Sequence, residues 1–203
     1  VDRAKMLKIH PDATCAEALE TIDKHDVRAL PVINEDDTPA GFVSIFRLGE
    51  FFIPKPREPK RMRHVHTSVG SIVNALDAEV LNSCEDERIE DLYVRIGAMD
   101  IRSFGKFSEH EGIKPEESII VVGDRWDIQQ KALQIGVRLL VITGGLEVDE
   151  DILEMAKTRG TCLIVSNYDS ATTTWIIRTA TRLKPMIDTQ FVTFSPEDKL
   201  SAV

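Results

Sequence analysis

Two short polar stretches follow apolar runs near the middle of the chain, and their residue types could do chemistry. Gly123–Arg125 comes directly after the run Ser118–Val122, and Thr143–Gly145 follows the run Leu139–Ile142. Together with Asp169, the carboxylate and guanidinium of the first stretch could serve a phosphoryl-handling site, although no pattern positions a nucleophile or a metal. The same residue types also suit a tight turn and a local ion pair. A structural role and a ligand-binding role both stay open.

The elements that would position these residues form a strand–helix–strand unit. Ser118–Val122 has no polar alternation, which is typical of a strand buried on both faces. Gly136 stands where a helix would end. The second run, Leu139–Ile142, is then parallel to the first, and both strands end at the edge of the sheet where open α/β folds bind ligands. Between the two runs, apolar residues recur at helical spacing, at Ile128, Ala132 and Ile135.

The same stretches resemble the DRTGG domain. The segment SNYDSATT (Ser166–Thr173) also matches the family, and the resemblance extends over roughly residues 70–183. It implies a mainly parallel sheet flanked by helices, in a family better known as a companion domain than for an activity. The signature edge would consist of Asp124, Arg125, Thr143, Gly144 and Gly145.

Residues 7–53 are predicted to form a second compact unit with the element order β-α-β-β-α. Asp12 or Thr14 can cap a helix that runs to about His25. A hairpin of two strands and a short helix would follow, and the strand ALPVI is expected to be buried. The expected bounds of the strands and the last helix are Leu7–His10, Ala29–Ile33, Gly41–Ile45 and Leu48–Ile53.

This unit resembles a CBS domain through HDVRALPVIN (His25–Asn34) and GFVSIFRLGEFF (Gly41–Phe52). CBS domains usually occur in pairs that bind adenosine nucleotides in the clefts between repeats. Ser44 stands at the family's hydroxyl position, which contacts ribose or phosphate. Arg47 stands where the family has a ribose-binding Asp, so the guanidinium could instead meet a phosphate. A strand hydroxyl and a surface cation are the structural alternative. The resemblance implies nucleotide contacts at Arg28, Ala29, Pro31, Ser44 and Arg47.

Residues 55–69 are predicted to be a basic, proline-rich linker between a first CBS repeat at 1–54 and a DRTGG domain at 70–184. Pro56 and Pro59 disfavour a regular helix or a central strand. The basic residues of the linker could attract a phosphate or could simply be solvated. His64 and His66 would point the same way on a strand, but no third ligand is apparent nearby, so no metal site is predicted.

Residues 185–203 resemble the start of a second, truncated CBS repeat, because TFSPEDKL (Thr193–Leu200) parallels IHPDATCAEAL (Ile9–Leu19). The order CBS, DRTGG, CBS resembles the regulatory insert of family II inorganic pyrophosphatases, whose DHH-type catalytic domains depend on manganese or cobalt. In those enzymes adenine nucleotides bind the CBS pair and alter hydrolysis. The resemblance implies an AMP-, ADP- or ATP-type ligand, attached catalytic domains that alone hold the metals, and a fragment that is not itself an enzyme. With one complete repeat, a homodimer would have to form the cleft.

The composition and net charge of the chain limit the classes of function that are compatible with it. The chain has 203 residues, 42% of them apolar, and a formal net charge of −9, which disfavours nucleic-acid binding through a general basic surface. No apolar run approaches the ~20 residues of a membrane helix. Val1–His10 lacks the apolar core of a signal peptide, and the missing initiator Met indicates a fragment or a processed chain. Three distant cysteines (Cys15, Cys84 and Cys162) are expected to be reduced thiols of a cytoplasmic protein.

The leading interpretation is an α/β protein with a CBS domain and a DRTGG domain that senses a nucleotide for an attached enzyme. One alternative is a structural dimerisation spacer whose CBS part has lost its ligand. Another is an enzyme that uses the Asp124/Thr143 edge. The sequence contains no Walker lysine motif, GxSxG or HExxH.

Overall fold

The computed structural model describes residues 6–53, 59–83, 87–104 and 112–193. The chain divides into two compact units. The smaller unit contains Val1–Ile53 and Arg182–Val203, and the larger unit contains Pro54–Thr181.

The smaller unit has the predicted helix, hairpin and helix. The Thr14 side chain caps the first helix by accepting the Glu17 N–H, and the Glu17 carboxylate accepts the Thr14 N–H, which completes a capping box. In place of the predicted strand at residues 7–10, Ile9 makes one parallel bridge to Val32. The elements are α1 (Cys15–His25), β1 (Ala29–Ile33), β2 (Pro39–Ser44) and α2 (Ile45–Phe52).

The two strands of the hairpin are antiparallel and are covered on one face. Leu30, Val32 and Val43 are fully buried in a core with residues of both helices. Their neighbours along each strand are half-buried or exposed. The expectation of a buried ALPVI strand is therefore right for only one face. The residues of the other side are half-buried or, at Ala29, exposed.

Residues after the larger unit complete the smaller one. The Leu183 N–H donates to the Ala13 carbonyl at 2.8 Å, and Phe42 and Asp188 exchange two backbone hydrogen bonds of 3.1 and 2.9 Å. Leu183 and Met186 are buried in the core of the smaller unit. Residues 194–203 lie outside the described part of the chain. The assignment of 185–203 to a second CBS repeat, and the predicted boundaries in general, stay predictions.

The larger unit is built on a six-stranded sheet with the order β3-β5-β6-β7-β8-β4. The four strands from β5 to β8 are parallel, and the two outer strands pair with them in the antiparallel sense. This confirms the predicted mainly parallel sheet. Its elements are α3 (Pro59–Arg63), β3 (His64–Thr67), α4 (Val69–Leu76), β4 (Glu79–Asn82), β5 (Glu90–Ile96), β6 (Ser118–Val122), α5 (Trp126–Ile135), β7 (Leu139–Thr143), α6 (Glu150–Arg159), β8 (Cys162–Ser166) and α7 (Ser170–Thr179).

Helices cover both faces of this sheet. On one face α4 and α7 contribute Ile72, Leu76 and Ile177 to a core with inward residues of the strands. On the other face α5 and α6 contribute Ile128 and Ile152, among others. Every residue of β6, β7 and β8 is buried, as the unbroken apolar runs indicate.

Two expectations are wrong. The expectation that prolines disfavour regular structure in residues 55–69 fails at residues 59–67, because Pro59–Arg63 is helical and His64–Thr67 pairs with β5 as an edge strand. Proline is tolerated in the first turn of a helix, where its missing N–H has no intrahelical partner.

The expectation of reduced thiols holds for the buried Cys15. It fails for Cys162, which is disulfide-bonded, because sequence spacing does not show which sulfurs the fold brings together; Cys84 lies outside the described residues.

Candidate nucleotide site

The predicted nucleotide-binding residues meet at one end of the β1–β2 hairpin. Ala29 lies directly opposite Ser44, and Pro31 lies opposite Phe42. Because side chains alternate along a strand, Ala29, Pro31 and Ser44 share the outer face, opposite the buried Leu30. The Arg28 carbonyl accepts a 2.9 Å hydrogen bond from the first residue of α2, so Arg28 lies at the same end of the hairpin.

Ser44 joins this face to the start of α2. Its backbone is extended (φ −114°, ψ 156°), and its hydroxyl oxygen caps the helix by accepting the Arg47 N–H at 3.2 Å. The residue is half-buried rather than enclosed. A serine hydroxyl has one donor proton and two acceptor lone pairs, so capping leaves it able to donate to a ligand.

Arg47 projects from the first turn of α2 and makes two ion pairs. Its Nη1 lies 3.2 Å from Glu50 Oε2, and its Nη2 lies 3.3 Å from Asp188 Oδ2. The hydrogen bond to Asp188 raises the pKa of Arg47 above its ordinary value, and the hydrogen bond to Glu50 adds to this effect. A ligand phosphate that approaches Arg47 therefore has to compete with two carboxylates.

Sequence reasoning missed Asp188, which lies 141 residues from Arg47. The hydrogen bond from the Gln190 N–H lowers the pKa of Asp188, and Arg47 lowers it further. The resemblance to CBS domains implies a carboxylate at the position of Arg47. The fold supplies one beside that position, from a different segment. The sequence gives one hint of such a carboxylate. Arg47 stands where the CBS motif has an Asp, although the rest of the motif is complete.

Gly41 allows the Asp188 segment to lie against β2. Its φ is +148°, and a β carbon there would lie 2.3 Å from the Asp188 carbonyl oxygen and 2.6 Å from Ile187 Cγ2. No side chain could be accommodated at that distance without moving the backbone. The glycine that begins the second CBS-like stretch thus fixes the position of Asp188.

The predicted DRTGG edge lies in the larger unit, at the carboxyl ends of the parallel strands. Arg125 donates hydrogen bonds to the carbonyls of Ala98 and Met99 and pairs with Asp127 at 2.9 Å. The side chain of Asp124 is exposed, and its carbonyl accepts the N–H of the first residue of α5. Arg125 thereby ties the loop after β5 to the start of α5, which is a structural role.

The second half of the signature connects β7 to the loop after β8. Thr143 is buried, and its Oγ1 lies 2.9 Å from Ser170 Oγ. Gly144 (φ +84°) donates its N–H to the Tyr168 carbonyl at 2.9 Å. Gly145 (φ +61°) donates to the Ser166 carbonyl at 3.0 Å. The predicted edge therefore exists, but most of its polar groups are engaged within the domain.

The described residues contain no group of three or more His, Cys, Asp or Glu side chains arranged to hold a metal ion. His64 and His66 both lie within hydrogen-bond distance of Asp91 Oδ1, at 2.8 and 2.9 Å. Burial raises the pKa of Asp91, and the hydrogen bonds from His66 and His64 outweigh that effect, so the pKa lies below its ordinary value.

Within the part of the chain that the structure describes, no helix is long and apolar enough to span a membrane.

Family sequence profiles match both units. The DRTGG domain profile matches residues 71–180, and the CBS domain profile matches residues 1–49. The chain belongs to the DRTGG domain family. The DRTGG domain lies within the larger unit, and the CBS domain provides Ser44 at the end of the hairpin and Arg47 in α2.

Two curated proteins are similar over most of this chain. The cobalt-dependent inorganic pyrophosphatase of Clostridium perfringens is 24% identical over 173 residues, which are 85% of this chain. The uncharacterised protein YtoI of Bacillus subtilis is 27% identical over 143 residues, or 69% of this chain. The match spans only 30% of the length of each of these relatives.

A solved structure has the same fold. It is the crystal structure of the CBS and DRTGG domains of the regulatory region of the Clostridium perfringens pyrophosphatase, in complex with the activator diadenosine tetraphosphate. The TM-score is 0.80 at 23% identity, and the match covers 98% of this chain and 84% of that chain. This likeness establishes the CBS and DRTGG architecture for the present chain.

Proposed function

We propose that this chain is a regulatory module that senses an adenine nucleotide for an attached inorganic pyrophosphatase. The observation that carries the proposal is the shared outer face of the hairpin, where Ala29, Pro31 and the half-buried Ser44 lie together beside Arg47. The proposed contacts are the Ser44 hydroxyl with ribose or phosphate and the Arg47 guanidinium with phosphate. Arg28 would add a second cation at the same end of the hairpin.

The relatives support this proposal. The solved regulatory region with the same architecture holds diadenosine tetraphosphate, described there as an activator. In the proposed parent enzyme, catalytic domains outside this chain would bind manganese or cobalt and hydrolyse pyrophosphate. The module itself would be cytoplasmic. It would bind the nucleotide and alter the activity of the attached enzyme, and it would catalyse no reaction.

Regulation requires that the nucleotide bind one arrangement of the module more tightly than another. That difference in affinity is all the free energy available to bias the attached enzyme. The CBS domain profile matches residues 1–49, and one CBS repeat offers one half of a cleft. We therefore propose that a homodimer brings two hairpin faces together and that the nucleotide changes how they meet.

Isothermal titration calorimetry with AMP, ADP, ATP and diadenosine tetraphosphate tests the proposal. We expect saturable binding of at least one nucleotide and weaker binding by Ser44→Ala, because the hydroxyl contact is lost. Thr38→Ala is the matched control, since it removes an exposed hydroxyl at the other end of the hairpin. Absence of binding by the folded dimer, or equal losses in both variants, would contradict the proposed site.

The second candidate function is a dimerisation spacer whose CBS part has lost its ligand. The ion pairs of Arg47 with Glu50 and Asp188 favour it, because they neutralise the cation that would meet the phosphate. Sedimentation velocity separates the two functions. The spacer predicts a dimer whose stability is the same with and without nucleotide, whereas the sensor predicts a nucleotide-dependent shift.

A further inference from the structure

Asp188 is held in place beside the proposed nucleotide site by its backbone and by its carboxylate. Its N–H and its carbonyl exchange hydrogen bonds of 2.9 and 3.1 Å with the backbone of Phe42. Its Oδ1 accepts the Gln190 N–H at 3.0 Å, in a local turn that aspartate side chains commonly form. The preceding residue, Ile187, packs against the core of the smaller unit. The carboxylate is therefore a negative charge at a fixed position.

This carboxylate lies on the same face of the hairpin as the proposed ligand contacts. Phe42 and Asp188 form an antiparallel bridge, and residues directly opposite each other in such a pair have their side chains on one face. Phe42 also lies opposite Pro31, which is on the outer face. Ser44 is two residues further along β2, so it shares that face. A ligand that contacts Ser44 and Arg47 would thus lie beside Asp188.

The charges around the Arg47 guanidinium sum to a negative value. Asp188 and Glu50 each bring one carboxylate within 3.3 Å of it. The Glu50 side chain is 50% exposed and can turn towards water, whereas the Asp188 side chain is only 21% exposed. The hydrogen bond from the Gln190 N–H lowers the pKa of Asp188, so this carboxyl is ionised at neutral pH.

The fixed carboxylate affects ligands differently according to their charge. A first phosphate can replace Asp188 as the partner of the Arg47 guanidinium. Each further phosphate adds negative charge that this guanidinium no longer compensates. Like charges repel over several ångströms even in water, although salt weakens the effect. The cost of placing a ligand beside Asp188 therefore rises with the number of its phosphates.

We propose that Asp188 makes the nucleotide site selective by charge, so that the site favours nucleoside monophosphates over di- and triphosphates. The inference rests on the proposed nucleotide site and adds to it the class of ligand. Ser44 and Arg47 would hold the first phosphate, and Asp188 would determine how much further negative charge the site accepts.

Isothermal titration calorimetry with adenosine, AMP, ADP and ATP, at one ionic strength and without divalent cations, tests the proposal. Asp188→Asn removes the charge and keeps an oxygen that can accept the Gln190 N–H. The affinity for adenosine should stay unchanged. The affinity for AMP should rise about two- to fivefold, because Arg47 loses a competing partner. Each added phosphate should increase this gain by a further factor of about two, the size expected for unit charges ~7 Å apart in water with salt.

Two more variants control for folding and for total charge. Asp188→Ser also removes the charge, and a serine hydroxyl can accept the same backbone N–H, so it repeats the test if Asp188→Asn fails to fold. Glu35→Gln removes one negative charge from an exposed residue in the turn at the other end of the hairpin. It should leave all four affinities within about 1.5-fold, because it lies beyond the Debye length from Arg47.

The outcomes separate this proposal from the nucleotide site itself. Charge selectivity is overturned, and the site retained, if the parent binds nucleotide and the ratio of ATP to AMP affinity is the same in the parent and in the Asp188 variants. A change of the same size in Glu35→Gln, or weaker binding by Asp188→Asn, also overturns it. If neither the folded parent nor folded Asp188→Asn binds any of the four ligands, the nucleotide site fails and the selectivity fails with it.

Discussion

Alanine at Gly144 tests whether the DRTGG signature serves the backbone or a ligand. The residue has a φ of +84°, and its N–H donates to the Tyr168 carbonyl at 2.9 Å. A β carbon there would make only ordinary contacts, the nearest with Leu146 at 3.7 Å. The cost is therefore that of left-handed backbone at a non-glycine residue, about 1–2 kcal/mol. We expect Gly144→Ala to lower the free energy of unfolding by about this amount.

Gly145→Ala should cost more than Gly144→Ala. Its φ of +61° carries the same strain, and in addition a β carbon would lie 3.0 Å from Asn167 Oδ1, which must move aside. Gly136 and Gly160 are matched controls, because both have positive φ and no atom lies within 4 Å of the position of an added β carbon. Their alanine variants isolate the backbone strain from the contacts of the signature.

Urea unfolding followed by tryptophan fluorescence measures these differences in the DRTGG domain, because both tryptophans lie in the larger unit. The structure predicts that Gly144→Ala loses as much stability as Gly136→Ala and Gly160→Ala. A Gly144→Ala protein as stable as the parent, beside controls that lose the expected 1–2 kcal/mol, would refute the structural role. The signature would then have to be explained by a ligand.

Three further outcomes follow from the described contacts. Asp188→Asn should tighten the binding of ATP in calorimetry, because it releases Arg47 from a competing carboxylate; weaker binding would mean that Asp188 itself contacts the nucleotide. Hydrogen bonds from Thr172 hold the pKa of Asp169 below its ordinary value of 3.8. This carboxylate therefore stabilises the fold at neutral pH and loses that effect as the pH falls through its folded-state pKa. Asp169→Asn should flatten the acid side of a plot of melting temperature against pH. Leu140→Ala should cost about 2–5 kcal/mol by urea unfolding, since Leu140 is fully buried at the centre of the sheet.

The sequence was most informative where one physical cause dominates. The apolar run at 118–122 matches β6 residue for residue, because a strand buried on both faces tolerates no polar alternation. Gly136 ends α5 in the left-handed conformation, as its position after the helical pattern indicates. The hairpin of β1 and β2 also follows from two strand-like runs on either side of a polar turn, whereas its register comes from the structure.

The sequence was least informative where distant segments meet. Local composition indicates a linker at 64–67, because basic residues and prolines precede this edge strand and its pairing with β5 is not visible in the composition. The contact of Asp188 with Arg47 depends on a return of the chain that no local pattern encodes.

Amide chemical shifts measured during a titration with AMP test the central claim most directly. A ¹⁵N-labelled sample reports each residue of the hairpin separately from the DRTGG domain. A nucleotide sensor predicts that the amides of Ala29, Ser44 and Arg47 shift saturably and together. Amides at these three positions that stay unmoved at saturating AMP, ATP and diadenosine tetraphosphate would contradict it.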